Sequence, residues 1–129
     1  MPVLRLERDH ASSPFFDATA RGVLLLKRCA DCHHWSAPEV TACPRCGSTS
    51  LKWQESKGSG VVASWAVIHP KPGQGMPLPV CIVELDEGPW MRGQLRVENL
   101  ESIHTRMKVI TQFDAADGGE WIPVFVSLM

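Results

Sequence analysis

The sequence contains no tyrosine, almost no net charge and no long apolar run, and the last two absences each argue against a class of protein. Its 129 residues include 13 lysines and arginines and 14 aspartates and glutamates, for a net charge of −1. A nucleic-acid-binding protein needs a surplus of positive charge to displace counterions from phosphates, so this balance argues against one. No apolar run approaches the ~20 residues of a membrane-spanning helix, so we expect no membrane protein.

The first residues, MPVLRLERDHASSP, do not resemble a secretory signal peptide. Charged side chains interrupt the continuous apolar stretch that such a signal needs. We therefore expect a cytoplasmic protein. Cytoplasmic thiols stay reduced, so paired cysteines there indicate metal binding or redox chemistry rather than disulfides.

Four of the five cysteines form two matching pairs, Cys29-x2-Cys32 and Cys43-x2-Cys46, which are ten residues apart. Each Cys-x-x-Cys turn brings two thiolates within reach of one ion, and two such turns can face each other around a tetrahedral site. A closed four-sulfur site has no open position for water, so its expected role is structural. We expect one zinc ion at this site. Iron would give the same geometry with a redox role, because spacing alone does not identify the metal.

The two cysteine turns differ at the residue that follows the second cysteine. Gly47 follows Cys46, where a tight turn often needs a positive φ. His33 holds the equivalent place after Cys32. We therefore expect the first turn to be less regular, or to offer His33 or His34 as a ligand. The histidine alternative is the weaker one, since four well-spaced thiolates already satisfy the ion.

A short helix is predicted over 14–21. Ser13 is a candidate cap, Pro14 has the φ of a first helical position, and Asp17 would lie in the first turn, where the helix dipole favours a negative charge. Gly22 is a candidate stop signal.

Strands are predicted on both sides of the cysteine pairs and through the second half of the chain. VLLLKRC precedes the first pair and SLKWQES follows the second, each with the two-residue period of a strand. Five further strands follow the linker-like SKGSG, at 60–69, 80–85, 90–97, 108–113 and 121–128. The proline-rich stretch 70–79 is predicted to be a loop, and 98–105 to contain a short helical turn.

Five strands with an interruption after the third fit a small Greek-key barrel of the OB type, with an irregular sandwich as the alternative. The expected fold class is therefore mainly β. We divide the chain into an N-terminal helical segment (1–22), a metal ribbon (23–57) and an OB-type barrel (58–129).

The other chemistry-bearing residues favour structural roles. Cys81 alternates with Val83 and Leu85, which predicts a buried thiol rather than a nucleophile. Trp35, in the metal loop, is expected to be the most exposed tryptophan. The other tryptophans lie in or beside apolar strands, where core or interface packing is expected rather than nucleobase stacking: Trp53, Trp65, Trp90 and Trp121. Scattered carboxylates and isolated histidines form no complete catalytic site.

The segment from Arg21 to Lys57 is more basic than the rest of the chain. It holds six basic residues against three acidic ones. Such a segment could meet a phosphate-bearing ligand or an acidic partner, although a solvated surface of mixed charge is the simpler interpretation.

Five stretches of the chain carry a family resemblance that runs through nearly its whole length. They are SPFFDATARGVLLLKRCADC, CPRCGSTSLKW, GSGVVASWAVIHP, PVCIVELDEGP and IPVFV, in this order. They resemble the acyl-CoA-associated proteins with an N-terminal helix, a rubredoxin-like zinc ribbon and a C-terminal OB fold, once catalogued only as a domain of unknown function. The chain departs from the family pattern at His33 and in IHTRMKVITQF, where a glycine is expected before the methionine.

The resemblance implies an accessory, non-catalytic subunit that scaffolds a partner enzyme and helps to bind or pass on an acyl-CoA. The partners that it implies are thiolase-fold enzymes, including thiolases and steroid side-chain aldolases, or hot-dog-fold enoyl-CoA hydratases, in a hetero-oligomer. On this interpretation Phe15 and Phe16, exposed on the helix, and Trp35 are the candidate docking residues. The candidate ligands for CoA phosphates are Lys27, Arg28, Arg45 and Lys52.

Three alternatives remain at this stage. A zinc ribbon with an OB fold could bind nucleic acid, although the basic surplus is missing. The chain could be an electron carrier if its ion is iron. It could also be an enzyme that acts by itself on CoA thioesters. The sequence shows no nucleophile and base pair for such an activity, although a partner could complete a shared active site.

Overall fold

The structure, a computed structural model, describes residues 8–128 of the chain. The first seven residues of the predicted helical segment therefore lie outside the described residues. The N-terminal half contains α1 (Ser13–Thr19), β1 (Leu25–Cys29), β2 (Trp35–Ser36) and β3 (Leu51–Glu55). The second half contains β4 (Ser59–Ile68), β5 (Leu78–Leu85), β6 (Trp90–Arg96), a 3-10 turn (Leu100–Ser102), β7 (Lys108–Asp114) and β8 (Ile122–Ser127). No helix within residues 8–128 is long and apolar enough to cross a membrane.

Helix α1 confirms the prediction of a helix after Ser13 but corrects how it begins. Its N-cap is Ser12, one residue earlier than predicted, and the Ser12 hydroxyl accepts a bond from the Asp9 backbone N–H (3.0 Å) instead of capping the helix. Asp17 lies beyond the first turn and pairs with Arg8. The predicted stop is confirmed, because Gly22 has a φ of 77° and its N–H bonds to the Thr19 carbonyl (2.9 Å).

The ribbon is a three-stranded antiparallel sheet in the order β2-β1-β3. The strands predicted before and after the cysteine pairs are β1 and β3, and the two-residue β2 was not predicted. Lys27 and Trp53 are register partners on β1 and β3, and Arg28 and Trp35 are register partners on β1 and β2. Since neighbours along a strand point to opposite faces, Lys27 and Arg28 extend from opposite faces of the ribbon.

The second half of the chain is a closed five-stranded barrel in the order β4-β5-β6-β8-β7. All five predicted strands are present, each within two residues of its predicted bounds. Only the β6–β8 pair of the barrel is parallel. The chain leaves β6 through the 3-10 turn, runs along β7 at the far side of β8, and then returns as β8 between β6 and β7. The barrel confirms the predicted Greek-key fold of the OB type, and its closure rules out the irregular sandwich.

Ribbon and barrel share one apolar core. Leu24, just before β1, and Leu26, within it, pack in the same buried cluster as the barrel residues Val62, Leu95 and Phe125. Burial of apolar surface is the main favourable term in folding, so the ribbon and the barrel stabilise each other.

The helix is held against the last strand by a second contact surface. Phe16 packs in a buried cluster with Ile122 and Val124 of β8. The Thr19 hydroxyl donates to the backbone carbonyl of Trp121 (2.6 Å). Arg8 donates to both carboxylate oxygens of Glu120 (2.8 and 2.9 Å) and holds the pKa of that carboxyl below its ordinary value.

The two departures from the family pattern both adopt left-handed backbone. His33 has a φ of 65° and Arg106, directly before Met107, has a φ of 67°. The His33 N–H bonds to the Cys29 carbonyl (3.0 Å), just as the Gly47 N–H bonds to the Cys43 carbonyl (2.8 Å). The prediction of a less regular first turn is therefore wrong, because histidine takes the conformation that glycine would take there.

Replacing Arg106 with glycine is expected to stabilise the protein by about 0.5–1 kcal/mol. Left-handed backbone strains a residue that has a Cβ, and the relief of that strain outweighs the greater flexibility of glycine in the unfolded chain. The exposed contact between Arg106 Nη1 and Glu84 Oε2 (3.6 Å) contributes little. Thermal unfolding measures the effect, with Arg106→Lys as the control that keeps both charge and strain. A lower stability of the glycine variant would contradict this account.

Candidate metal centre and groove

The four paired cysteines converge on one point. Their Sγ atoms all lie within 4.8 Å of one another, and the Cys29–Cys46 and Cys32–Cys43 pairs are each 3.6 Å apart. A tetrahedral zinc site with bonds of about 2.3 Å has sulfur–sulfur edges of about 3.8 Å. The sulfur positions therefore fit a tetrahedral ion, and no histidine belongs to this group within the described part of the chain.

The turn of the first cysteine pair favours the thiolate form of Cys29. The backbone N–H of Cys32 donates to Cys29 Sγ (3.5 Å) and, with the N–H of Asp31, lowers the pKa of the Cys29 thiol to about 6. Cys29 and Cys43 are buried, whereas Cys46 is exposed. The Ser48 hydroxyl donates to the Asp31 carboxylate and so connects the two turns. A thiolate stabilised before binding is a suitable metal ligand.

Two of the four candidate phosphate ligands already have partners inside the ribbon. Lys27 Nζ donates to the Val40 carbonyl (2.7 Å) and lies 4.8 Å from the ring centre of Trp53. Arg28 Nε donates to the His33 carbonyl (3.1 Å), and its guanidinium lies 5.2 Å from the ring centre of Trp35. Both side chains therefore brace the ribbon.

The other two candidates, Arg45 and Lys52, make no hydrogen bond or ion pair with any residue of the described chain. Lys52 is the register partner of Arg28, so these two lie on the ribbon face opposite Lys27. The four cations thus do not share one face, and their role in phosphate binding remains a prediction.

The candidate docking residues are less exposed than predicted. Phe16 is only 9% exposed, because it packs against β8, so the prediction of an exposed ring is wrong for it. Phe15 is half-buried and meets the Phe16 ring edge-on at 5.2 Å. Trp35 is also half-buried, beneath Arg28.

Three other tryptophans are more exposed than Trp35, contrary to the sequence prediction. Trp65 is 40% exposed, Trp121 46% and Trp90 59%. Trp65 and Trp90 lie on barrel strands at positions that the apolar core does not cover, and Trp121 lies just before β8. The strand patterns showed that these tryptophans lie in or beside apolar strands. They did not show which side of the barrel wall faces solvent.

Cys81 is buried in the barrel core, as predicted. Its removal from water raises the pKa of its thiol to about 12. The thiol is therefore protonated at neutral pH and unsuited to act as a nucleophile.

A groove that the sequence analysis missed lies between the helix, the ribbon and the barrel strands β4 to β6. Its volume is about 870 Å³, and its walls are mainly apolar. A second cavity of about 570 Å³ shares part of this wall and extends toward Trp90. The groove wall is assembled from distant parts of the chain, among them Phe15, Trp53, Trp65, Ile82 and Met91. Three of the outward-facing residues of β5, Leu78, Val80 and Ile82, gave a signal, since they are apolar where a solvated strand face would be polar.

Two family models match consecutive parts of the chain. The ChsH2 rubredoxin-like zinc ribbon domain matches residues 16–52. The ChsH2 C-terminal OB-fold domain matches residues 53–114.

Two curated relatives are similar in sequence. A probable enoyl-CoA hydratase alpha subunit of Thermomonospora curvata is 34% identical over 122 residues, which are 93% of this chain and 38% of that protein. A DUF35 domain-containing scaffold protein of Pyrococcus furiosus is 32% identical over 80 residues, which are 59% of this chain and 58% of that protein. The chain thus spans less than two thirds of the length of either relative.

Two solved structures are similar over most of the chain. A chain of the Ltp2-ChsH2(DUF35) aldolase matches with a TM-score of 0.83 and 31% identity, over 97% of this chain and all of that chain. A DUF35-family protein of unknown function from Sulfolobus solfataricus matches with a TM-score of 0.65, 12% identity and coverage of 92% and 85%, which shows the fold alone.

Proposed function

The chain belongs to the ChsH2 family of zinc-ribbon and OB-fold proteins, and from this membership we propose that it is a non-catalytic accessory subunit of an acyl-CoA enzyme. The observation that carries the proposal is the 31% identical match to a chain of the Ltp2-ChsH2(DUF35) aldolase over 97% of this chain. The names of the hydratase-subunit and scaffold relatives support it.

The proposed partner is a thiolase-fold enzyme, of the thiolase or steroid side-chain aldolase type, or a hot-dog-fold enoyl-CoA hydratase. The complex is a cytoplasmic hetero-oligomer in which this subunit helps to bind or transfer the acyl-CoA. Exposed tryptophans support a docking role, because aromatic residues are enriched in the centres of protein interfaces. The backbone carbonyl of Trp121 accepts a hydrogen bond from the Thr19 hydroxyl of α1, and Trp121 is 46% exposed, so we propose that the docking surface at the helix includes Trp121.

The ion of the ribbon is proposed to be one zinc, held by Cys29, Cys32, Cys43 and Cys46. Four thiolates complete a tetrahedral shell, so the ion supplies folding energy rather than an open coordination site. The residues around it contribute by fixing the sulfurs, through the N–H bond from Cys32 to Cys29 and the Ser48–Asp31 contact.

Affinity purification of the tagged chain from its host tests the accessory role. We expect an acyl-CoA enzyme of one of the proposed classes to co-purify in near-equal amount. Trp121→Ala should reduce its recovery, since truncation of a central aromatic residue at an interface typically weakens binding about tenfold or more. Ile110→Ala is the control, because Ile110 is a similarly exposed apolar residue on β7. Recovery of RNA, or of the chain alone, would contradict the proposal.

A further inference from the structure

We propose that the metal centre is a reversible redox device, in which a peroxide oxidises Cys46, Cys29 closes a disulfide with it, and the ribbon releases its ion. This inference rests on the proposed zinc site and adds a regulatory role to it.

The four sulfurs of the centre differ in their access to solvent. Cys29 and Cys43 are buried, and Cys32 is half-buried. Cys46 is exposed, and so are its neighbours at positions 44, 45 and 47. A coordinating thiol is deprotonated, and among thiolates exposure decides which sulfur a small oxidant reaches first. Cys46 is therefore expected to react first.

Cys29 is placed to complete the disulfide. Its Sγ lies 3.6 Å from Cys46 Sγ, although the two cysteines belong to different Cys-x-x-Cys turns. A sulfur–sulfur bond is about 2.0 Å long, so the two atoms must approach by about 1.6 Å. Cys32 and Cys43 form a second pair at 3.6 Å, but neither of them is exposed. Exposure therefore favours the Cys29–Cys46 disulfide over the other one.

The oxidation balances with one molecule of hydrogen peroxide. The Cys46 thiolate attacks one peroxide oxygen, the O–O bond breaks, and hydroxide leaves and takes up a proton to form water. The Cys29 thiolate then attacks the sulfur of the Cys46 sulfenic acid. An S–S bond forms, the S–O bond breaks, and the second hydroxide also becomes water. The two sulfurs lose two electrons and the peroxide gains them, because zinc has no redox chemistry of its own.

Loss of two thiolates is expected to release the ion. Only Cys32 and Cys43 remain as thiolate ligands, and a structural zinc site needs four ligands. The disulfide keeps the two turns joined, and the Ser48–Asp31 contact joins the same turns. The ribbon is therefore expected to recover its ion when a reductant and zinc are supplied.

The change in the ribbon is expected to reach the proposed docking surface. The Val23 N–H, just before β1, donates to the Ala18 carbonyl of α1 (3.0 Å). Leu24 and Leu26 pack in the core that the ribbon shares with the barrel. A ribbon without its ion disturbs both contacts, so oxidation should weaken binding of the enzyme partner.

Disulfide mapping during oxidation tests the order of events. The full, zinc-loaded chain is treated with hydrogen peroxide while a chromogenic chelator records the release of zinc. At half release the reaction is stopped with acid, free thiols are alkylated, and the disulfides are identified by mass spectrometry. Cys29–Cys46 should be the main disulfide, with Cys32 and Cys43 mainly alkylated. Any other main pairing would overturn the proposal.

A matched pair of variants tests the role of the exposed sulfur. Cys46→His and Cys32→His each leave three cysteines and a histidine, a ligand set that also holds zinc. Only the first removes the sulfur that is expected to react, so its zinc release should be about tenfold slower than that of Cys32→His. Equal rates would overturn the proposal. If either variant is purified without zinc, the disulfide map of the unmodified chain decides.

Cys81→Ala is the control for oxidation elsewhere in the chain. Cys81 is buried in the barrel, so this variant should release zinc at the rate of the unmodified chain. A slower release from Cys81→Ala would place the first oxidation in the barrel and contradict the proposal.

The outcomes separate this inference from the proposed function. A chain purified without zinc would contradict the zinc site and the inference with it. A chain that holds zinc and keeps it in hydrogen peroxide would overturn the inference alone. In the purified complex, oxidation should detach the enzyme partner, and reductant with zinc should restore it. A partner that stays bound after the zinc has left would contradict the regulatory role and leave the accessory role intact.

Discussion

Replacing Cys43 with serine is expected to release the bound ion and unfold the ribbon. A structural zinc site contributes about 10–16 kcal/mol of binding free energy. The net stability of a whole domain is only about 5–15 kcal/mol. Three sulfurs and a hydroxyl do not replace the four-thiolate shell that the Sγ positions form. Metal analysis by mass spectrometry should find one zinc per unmodified chain and less than a tenth of that in the variant.

The unfolding is expected to reach beyond the metal loop. Leu24 and Leu26 of the ribbon pack in the same core as barrel residues such as Val62, so a disordered ribbon uncovers one side of that core. Thermal unfolding of the Cys43→Ser variant should therefore begin at a lower temperature for barrel and ribbon alike.

The fifth cysteine provides the control for this experiment. Cys81 lies in the barrel core, away from the four sulfurs, so Cys81→Ala should keep one zinc per chain while losing a little packing. Full zinc content in Cys43→Ser would contradict the assignment of its ligand role. If the purified protein were red and contained iron, the ion would be assigned as iron instead of zinc. The electron-carrier hypothesis would then be open again.

Replacing Phe125 with alanine is expected to lower the free energy of unfolding by about 3–5 kcal/mol. Phe125 is fully buried on β8 and is among the largest side chains of the shared core. The truncation leaves a cavity inside a closed barrel, whose hydrogen-bonded wall cannot easily collapse to fill it. Urea denaturation of both proteins measures the difference, with exposed Ile110→Ala as the control expected to change stability by less than about 0.5 kcal/mol.

Gly93 provides a second test of the same packing. A Cβ added to Gly93 would lie 2.7 Å from Phe125 Cε2, closer than atoms can pack. Gly93→Ala alone should therefore destabilise the barrel by about 1–3 kcal/mol. In the Phe125→Ala background the same change should cost less, because the added methyl group enters the cavity. If the losses of unfolding free energy from the two changes simply added, Gly93 would be needed for a reason other than its contact with Phe125.

The sequence was sufficient to predict every helix and strand except β2, and the four cysteines that converge on one point. The spacing of Cys29, Cys32, Cys43 and Cys46 predicted the group of four sulfurs that the fold brings together, since the geometry of each turn is local. The alternation of β5 placed Cys81 inside the barrel, because strand periodicity separates two faces.

Sequence patterns could not predict which apolar residues would stay exposed. Phe16 was expected on the surface and is buried by β8, more than a hundred residues later in the chain. Trp90 was expected to pack in the core or at an interface, and its 59% exposure excludes the core. Both outcomes depend on which elements meet, and local periodicity does not encode that.

The sequence by itself determined that this protein is a four-cysteine ribbon followed by an OB-type barrel, because turns, strand periods and ligand spacing are properties of short stretches. Only the tertiary structure decided that Lys27 and Arg28 brace the ribbon and that Arg92 lies exposed beside an apolar groove. The groove forms where helix, ribbon and barrel meet, and its position and chemistry therefore follow from packing between distant segments of the chain.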